Sequence, residues 1–331
     1  MFFAAFPYRL RGRTALTALL LLSALVAACG ATPLGSTPAG DAAEIPASEA
    51  PFPRTLIDDA GGSVTISARP QRIVALTPAS VETLATLEYA DRVVGIAECT
   101  CTPDALAAIP VVAGYEGVDL EQLIALEPDL VFVGGSGFTP ADAITAMRAA
   151  NLTVVTIDPK GVEGVYRTMR LIGDAVGGSA PAAQIVASVR ADMAKLAALI
   201  PAGQRPRVFY EIDATSTIYG LAPDDYAAEL IDLAGGEPVT SGSAGVYEIS
   251  LESLVAAAPE VILLGDAAYG TTPAVVAARP GWSAIPAVAD GAIRPIDGDL
   301  VTTPGPRLAA ALAALIVAIN PKISVPAITI P

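Results

Sequence analysis

Histidine is absent from all 331 residues. Its absence removes Ser-His-Asp and Cys-His nucleophile systems and imidazole-based zinc sites. Cysteine is scarce: Cys29, Cys99 and Cys101 are the only three. So few cannot form a disulfide framework, and the fold must rest on its core. Hydrophobic residues make up 53% of the chain, which suffices for one. Cations are few, 19 Lys and Arg against 34 Asp and Glu, giving a net charge of −15. So acidic a chain is a poor partner for nucleic acid or anionic lipid and a good one for a basic protein surface.

Arg9, Arg11 and Arg13 precede an apolar run from Thr14 to Ala28. That run has about 15 residues, short of the roughly 20 that span a bilayer as a helix. It ends in Val26-Ala27-Ala28-Cys29, small residues directly before a cysteine. Charge, length and cleavage site are similar to a lipoprotein signal, which predicts removal of residues 1–28 and acylation of Cys29. Loss of the three arginines takes the net charge from −15 to −18. Residues 29–54 are rich in Ala, Pro, Ser, Thr and Gly without apolar periodicity, as expected of a tether that cannot fold.

The remainder alternates apolar β-rich runs with helical stretches, the pattern of an α/β fold with parallel sheets. Strands are predicted at Arg72–Leu76, Arg92–Ile96, Leu130–Val133 and Thr153–Ile157, and again at Arg207–Ile212, Val261–Leu264 and Ala292–Ile296. Between the two sets lies a long helical block, about Gly164 to Ile200, with Gly177-Gly178 as its expected break. An internal repeat orders these pieces. Asp119-LEQLIALEPDLVF-Val133 matches Ser250-LESLVAAAPEVIL-Leu264. Each copy starts on a good N-cap, runs a short helix, ends it at Pro128 or Pro259, and enters a buried strand. The duplication predicts two lobes of like construction: residues 55–160, a connecting helical segment 161–204, residues 205–320, and a tail 321–331.

The segments from Pro70 (PQRIVALTPASVETL), from Val118 (VDLEQLIALEPDLV), Leu233-Ala-Gly-Gly, the repeat at Ser250, Pro280-Gly-Trp282 and Pro304-Gly-Pro-Arg307 occur in one order. In that order they resemble the periplasmic binding proteins for iron-siderophore complexes, haem and cobalamin, over about Pro70 to Ala318. The resemblance implies an α/β fold of two Rossmann-like lobes with central parallel sheets, joined by one long rigid helix, with a largely preformed cleft between them. It also implies delivery of a metal chelate (cobalamin or another corrinoid, haem, or a ferric siderophore) to an ABC permease by a monomer outside the cytoplasm. No catalytic residue, resident metal or intrinsic cofactor is expected.

Glu121 and Glu252 hold equivalent places in the first turns of the repeated helices. Complementing the helix dipole, worth roughly 0.3–1 kcal/mol, explains them locally. The resemblance adds a role in docking to basic residues of the permease. Tyr115 falls just before the first of these helices, where relatives place an aromatic against cobalamin or a phenolate on haem iron; a half-buried loop tyrosine is the alternative. Cys99 and Cys101 follow the second strand and form either a local disulfide, an inert loop or soft metal ligands. Tyr219, Tyr247 and Asp299 are expected on the second lobe's side of the cleft, or else on surface loops. Trp282 reads as core, and Arg307 requires either a salt bridge or a ligand carboxylate. Gly134-Gly-Ser-Gly137 lacks the Lys-Ser/Thr of a phosphate loop, so it reads as a strand-to-helix turn lining the cleft. Two other functions stand beside transport: a nucleotide-dependent oxidoreductase or lyase on the same frame, and a scavenger or sensor without a permease.

Overall fold

The computed structural model describes residues 51–99, 102–114, 117–135, 138–203 and 205–328. The predicted leader, Cys29 and most of the predicted tether lie outside them. An antiparallel hairpin, β1 (Arg54–Ile57) and β2 (Ser63–Ile66), comes first. The first lobe follows as β3 (Ile73–Ala75), α1 (Pro78–Thr86), β4 (Val93–Ala97), β5 (Val111–Gly114), β6 (Gly117–Val118), α2 (Leu120–Ala125), β7 (Leu130–Gly134), α3 (Ala141–Ala149) and β8 (Val154–Ile157). Helices α4 (Gly161–Val176) and α5 (Ser179–Ala197) connect it to the second lobe. That lobe contains β9 (Arg207–Glu211), α6 (Tyr226–Leu233), β10 (Glu237–Val239), α7 (Leu251–Ala257) and β11 (Val261–Leu264). It continues with α8 (Pro273–Ala277), α9 (Pro286–Ala289), β12 (Ile293–Pro295), α10 (Gly298–Thr302) and α11 (Leu308–Ile319).

The strands form two separate main sheets, ordered β6-β5-β4-β3-β7-β8 and β10-β9-β11-β12. All pairings are parallel except β5 with β6. Alternation along each strand explains why helices cover both faces. Leu130 and Phe132 point into one cluster while Val131 and Val133 point into the opposite one. In the second lobe Val261 and Leu263 face one cluster and Ile262 and Leu264 the other.

The duplication seen in the sequence is a duplication of contacts. Asp119 caps α2 by accepting from Gln122 N at 2.9 Å, and Ser250 caps α7 by accepting from Ser253 N at 3.1 Å. Glu127 and Ala258, the residues before the two prolines, both take φ 46°. Arg72 Nε donates to Leu126 O at 2.9 Å, and Arg207 Nε donates to Ala258 O at 2.9 Å. Asp129 and Glu260 then accept from the backbone N–H groups of those same arginines, at 3.1 and 3.0 Å. An arginine entering the inner strand thus ties down the last carbonyls of the neighbouring short helix in each lobe.

The connecting block breaks where Gly177-Gly178 predicts: Gly177 takes a left-handed φ of 81° and ends α4. α4 itself makes the crossing. Val162, Val165, Tyr166 and Met169 belong to a core of the second lobe, whereas Leu171, Ile172, Ala175 and Val176 belong to a core of the first. α5 lies along it and packs closely at Gly173, where a Cβ would stand 2.3 Å from the Ala182 Cβ. Gly173→Ala should therefore cost about 1–3 kcal/mol through overpacking, despite alanine's better helix propensity, and thermal melting measures it. An unchanged or raised melting temperature would show that the two helices can part without cost.

β1 and β2 are not among the strands predicted from the sequence. Their hairpin is fixed through acids: Asp58 accepts from Thr156 N at 3.2 Å, and Asp59 accepts from Asp158 N at 3.0 Å and Thr168 Oγ1 at 2.7 Å. The start of the folded body is thereby bound to the end of β8 and to α4.

Candidate functional site

Carboxyl ends of parallel strands, at the point where strand order reverses, leave a crevice between diverging loops. Here that reversal falls between β3 and β7 in one lobe and between β9 and β11 in the other. A cavity of about 800 Å³ opens there, walled by the first lobe and closed from the second by Tyr269 and Asp299. Its first-lobe wall includes Glu98 and Cys99 after β4, and Phe138 after β7. A smaller cavity of about 190 Å³ lies on the other side of Phe138, lined in part by Thr77, Asp158, Lys160, Asp225 and Tyr247.

The smaller cavity has a mostly apolar wall with a hydrogen-bonded polar pair set into it. Tyr247 donates its hydroxyl to Asp225 Oδ2 at 3.0 Å, and the other Asp225 oxygen caps α6 by accepting from Ala227 N at 2.7 Å. Burial raises the Asp225 carboxyl above its usual range against the opposing pull of those two donors. The Tyr247 phenol is also pushed up, by burial first and then by the Asp225 charge. Lys160 Nζ stands 3.4 Å from Asp158 at the mouth.

An ion pair joins the two lobes. Arg307, at the N-cap of α11, binds Glu82 of α1. It needed either a salt bridge or a ligand carboxylate, and the partner is the protein's own acid. Glu82 is 6% exposed, and its Oε2 is buried without a hydrogen-bond partner. Burial raises its pKa, with the Arg307 hydrogen bond and charge acting the other way. A second buried pair braces the second lobe: Arg279 meets Glu211 at 2.6 and 2.8 Å while lying 4.6 Å above the Trp282 ring. Trp282 is 3% exposed and belongs to the core.

Of the residues singled out in the sequence, Cys99 and Asp299 line the larger cavity and Tyr247 the smaller. Cys99 is disulfide-bonded, its partner lying outside the described residues. Tyr115 and Cys101 also lie outside them. Tyr219 stands on a turn beyond β9, bridging Asp213 and Glu248 through its backbone, and lines neither cavity. Glu121 and Glu252 are exposed in the first turns of α2 and α7. The arginine ties hold the other ends of these helices beside the first residues of β3 and β9. Among the described residues no group of three or more His, Cys, Asp or Glu is arranged to hold a metal ion.

Phe138, Tyr269 and Glu98 were not among the sequence candidates. Extending the repeat past its strands would have found the first two. Phe138 and Tyr269 are 131 residues apart, the same separation as Glu121 and Glu252.

A family model described as periplasmic binding protein matches residues 73–300. An ABC transporter substrate-binding lipoprotein of Bacillus subtilis strain 168, YvrC, is 31% identical over 297 residues, which are 88% of this chain and 91% of that protein. A cobalamin-binding protein of Halobacterium salinarum is 27% identical over 79% of this chain and 73% of its own length. Among solved structures, the periplasmic haem-binding protein BhuT in complex with two haems superposes with a TM-score of 0.66 at 30% identity. It covers 75% of this chain and 97% of that one.

Proposed function

The chain belongs to the periplasmic binding protein family, and from that membership we propose that it is the extracytoplasmic substrate-binding subunit of an ABC importer. It captures a metal chelate between its lobes as a monomer and delivers it to the permease. Cys29 carries the lipid that holds it at the membrane, and residues 29–54 let the folded body reach its partner. The transported chelate is cargo rather than a cofactor, and the protein does no chemistry on it. The larger interlobe cavity carries this reading: about 800 Å³ is within the range of small-molecule sites. Support comes from the named relatives, which bind cobalamin or haem.

Glu121 and Glu252 present one acidic group per lobe to basic residues of the permease. Cys99, Asp299 and, from the loop before α2, Tyr115 contribute to the ligand wall, with Tyr247 behind it.

Spectrophotometric titration of the purified protein with cobalamin, haemin and a ferric siderophore tests the assignment. A saturable shift of a corrinoid or Soret band, or quenching on siderophore addition, is expected from at least one of them. No saturable change with any of the three would remove the chelate reading.

A further inference from the structure

Glu82 and Arg307 stand just behind the smaller cavity. Thr77, Pro78 and Ala79 at the start of α1 line that cavity, and Glu82 follows Ala79 at a spacing that shares a helix face. On the opposite wall Thr302 and Pro304 line it, and the turn from Pro304 leads directly into Arg307. Both mounts are firm. Ser80 N donates to Thr77 Oγ1 at 3.2 Å and Thr77 N donates to Ser80 Oγ at 3.3 Å, a reciprocal cap on α1. Val81 and Leu84 anchor α1 in a core of the first lobe, and Leu308, Ala311 and Leu312 anchor α11 in a core of the second. α1 packs on α4 and α11 packs on α5, so the ion pair ties together the two helices that flank the connector.

The contact is close but incompletely satisfied. A Cβ at Gly305 would stand 3.4 Å from Glu82 Oε2 and 4.0 Å from Thr83 Oγ1. Both of those oxygens are buried with no hydrogen-bond partner among the described residues. Parting the lobes returns them to water, which offsets part of the loss of the ion pair. Asp297 and Asp299 act on Arg307 from its own lobe, so the cation keeps compensation when Glu82 withdraws. We propose that Glu82 and Arg307 are an interlobe clasp: positioning residues that hold the two cleft walls at the spacing that retains the ligand, and that open at small cost for its release. A buried pair adds little net stability over apolar residues of similar volume, so its role here lies in the geometry it fixes.

The test has two arms, and the first needs no ligand. Nitroxide-bearing amino acids at exposed Ala149 of α3 and Val275 of α8 report the lobe-to-lobe distance by pulsed electron paramagnetic resonance. The parent protein should give one narrow distribution, and R307K, which keeps the cation, should preserve it. E82M/R307M and E82Q/R307Q, which remove both charges without stranding either, should broaden it. The second arm rests on the chelate reading of the cleft and uses cobalamin and haemin as probes. Dissociation of whichever probe the parent binds should be about tenfold faster in the two uncharged variants, with association little changed. Circular dichroism checks folding, and one folded uncharged variant suffices. A parental distribution in that variant, dissociation at the parental rate, or equal broadening in R307K would overturn the clasp. Unfolding of both uncharged variants would overturn it too, because the pair would then be a support of the core. Failure of the parent to bind either probe would remove the chelate reading, and the lobe distance would still decide the clasp.

Discussion

E121K/E252K should abolish ligand uptake in vesicles reconstituted with the permease and ATPase, while the purified variant binds its ligand with unchanged affinity. The split follows from position. Both glutamates are exposed, lie in the first turns of α2 and α7, and line neither cavity. Their local contribution is that of an acid at a helix N-terminus, roughly 0.3–1 kcal/mol each, so reversal leaves the fold intact. Opposed to a basic permease surface, the same reversal converts steering into repulsion, which acts on association rate as well as affinity. The loss should be salt-dependent, with single variants intermediate and partial recovery at higher ionic strength, because exposed charges are screened over about 8–10 Å. Uptake at the parental rate by the double variant would eliminate the docking role and leave these residues as helix caps.

The second large effect belongs to the Arg307–Glu82 pair. Arg307→Ala strands the Glu82 carboxylate at 6% exposure with neither oxygen compensated by this arginine. Breaking a buried pair from one side costs about 3–5 kcal/mol, whereas replacing both members by apolar groups of similar volume is often neutral. E82M/R307M should accordingly melt near the parent, and R307A well below both. The deficit of R307A should also depend on pH in a defined direction. Burial already raises the Glu82 pKa, and removing the cation raises it further. A carboxyl with a raised folded-state pKa favours folding when protonated. The penalty is therefore small below the unfolded value of about 4.3 and grows as pH rises through the raised value. Calorimetry at several pH values measures this. A deficit independent of pH would mean that lost packing of the arginine stem, and not the stranded charge, is responsible.

Much of this architecture was legible because it rests on residues that signal locally. Caps at Asp119 and Ser250, stops at Pro128 and Pro259, and the apolar runs after them mark helix and strand ends without tertiary information. The break in the connecting block was signalled by Gly177-Gly178. Other elements were silent because distant residues stabilise them. β1 and β2 are half-exposed strands held by Asp58 and Asp59 against Thr156 and Asp158, contacts spanning about a hundred positions. β5, β6 and β10 are short and incompletely buried, so they lack a strong periodic pattern. The bond between Arg307 and Glu82 joins residues 225 apart and has no sequence motif. Phe138 and Tyr269 carry a weaker signal of another kind: they match each other five residues beyond Val133 and Leu264, past the end of the helix–proline–strand unit.

The way α4 is shared has a consequence for dissecting the molecule. Its first half is an interior surface of one lobe and its second half an interior surface of the other. A cut before the helix robs the amino-terminal piece of Leu171, Ile172, Ala175 and Val176; a cut after it robs the carboxyl-terminal piece of Val162, Val165, Tyr166 and Met169. No single scission yields two complete fragments. Each half has surrendered part of its interior to a common beam, and neither can be excised as an autonomous module.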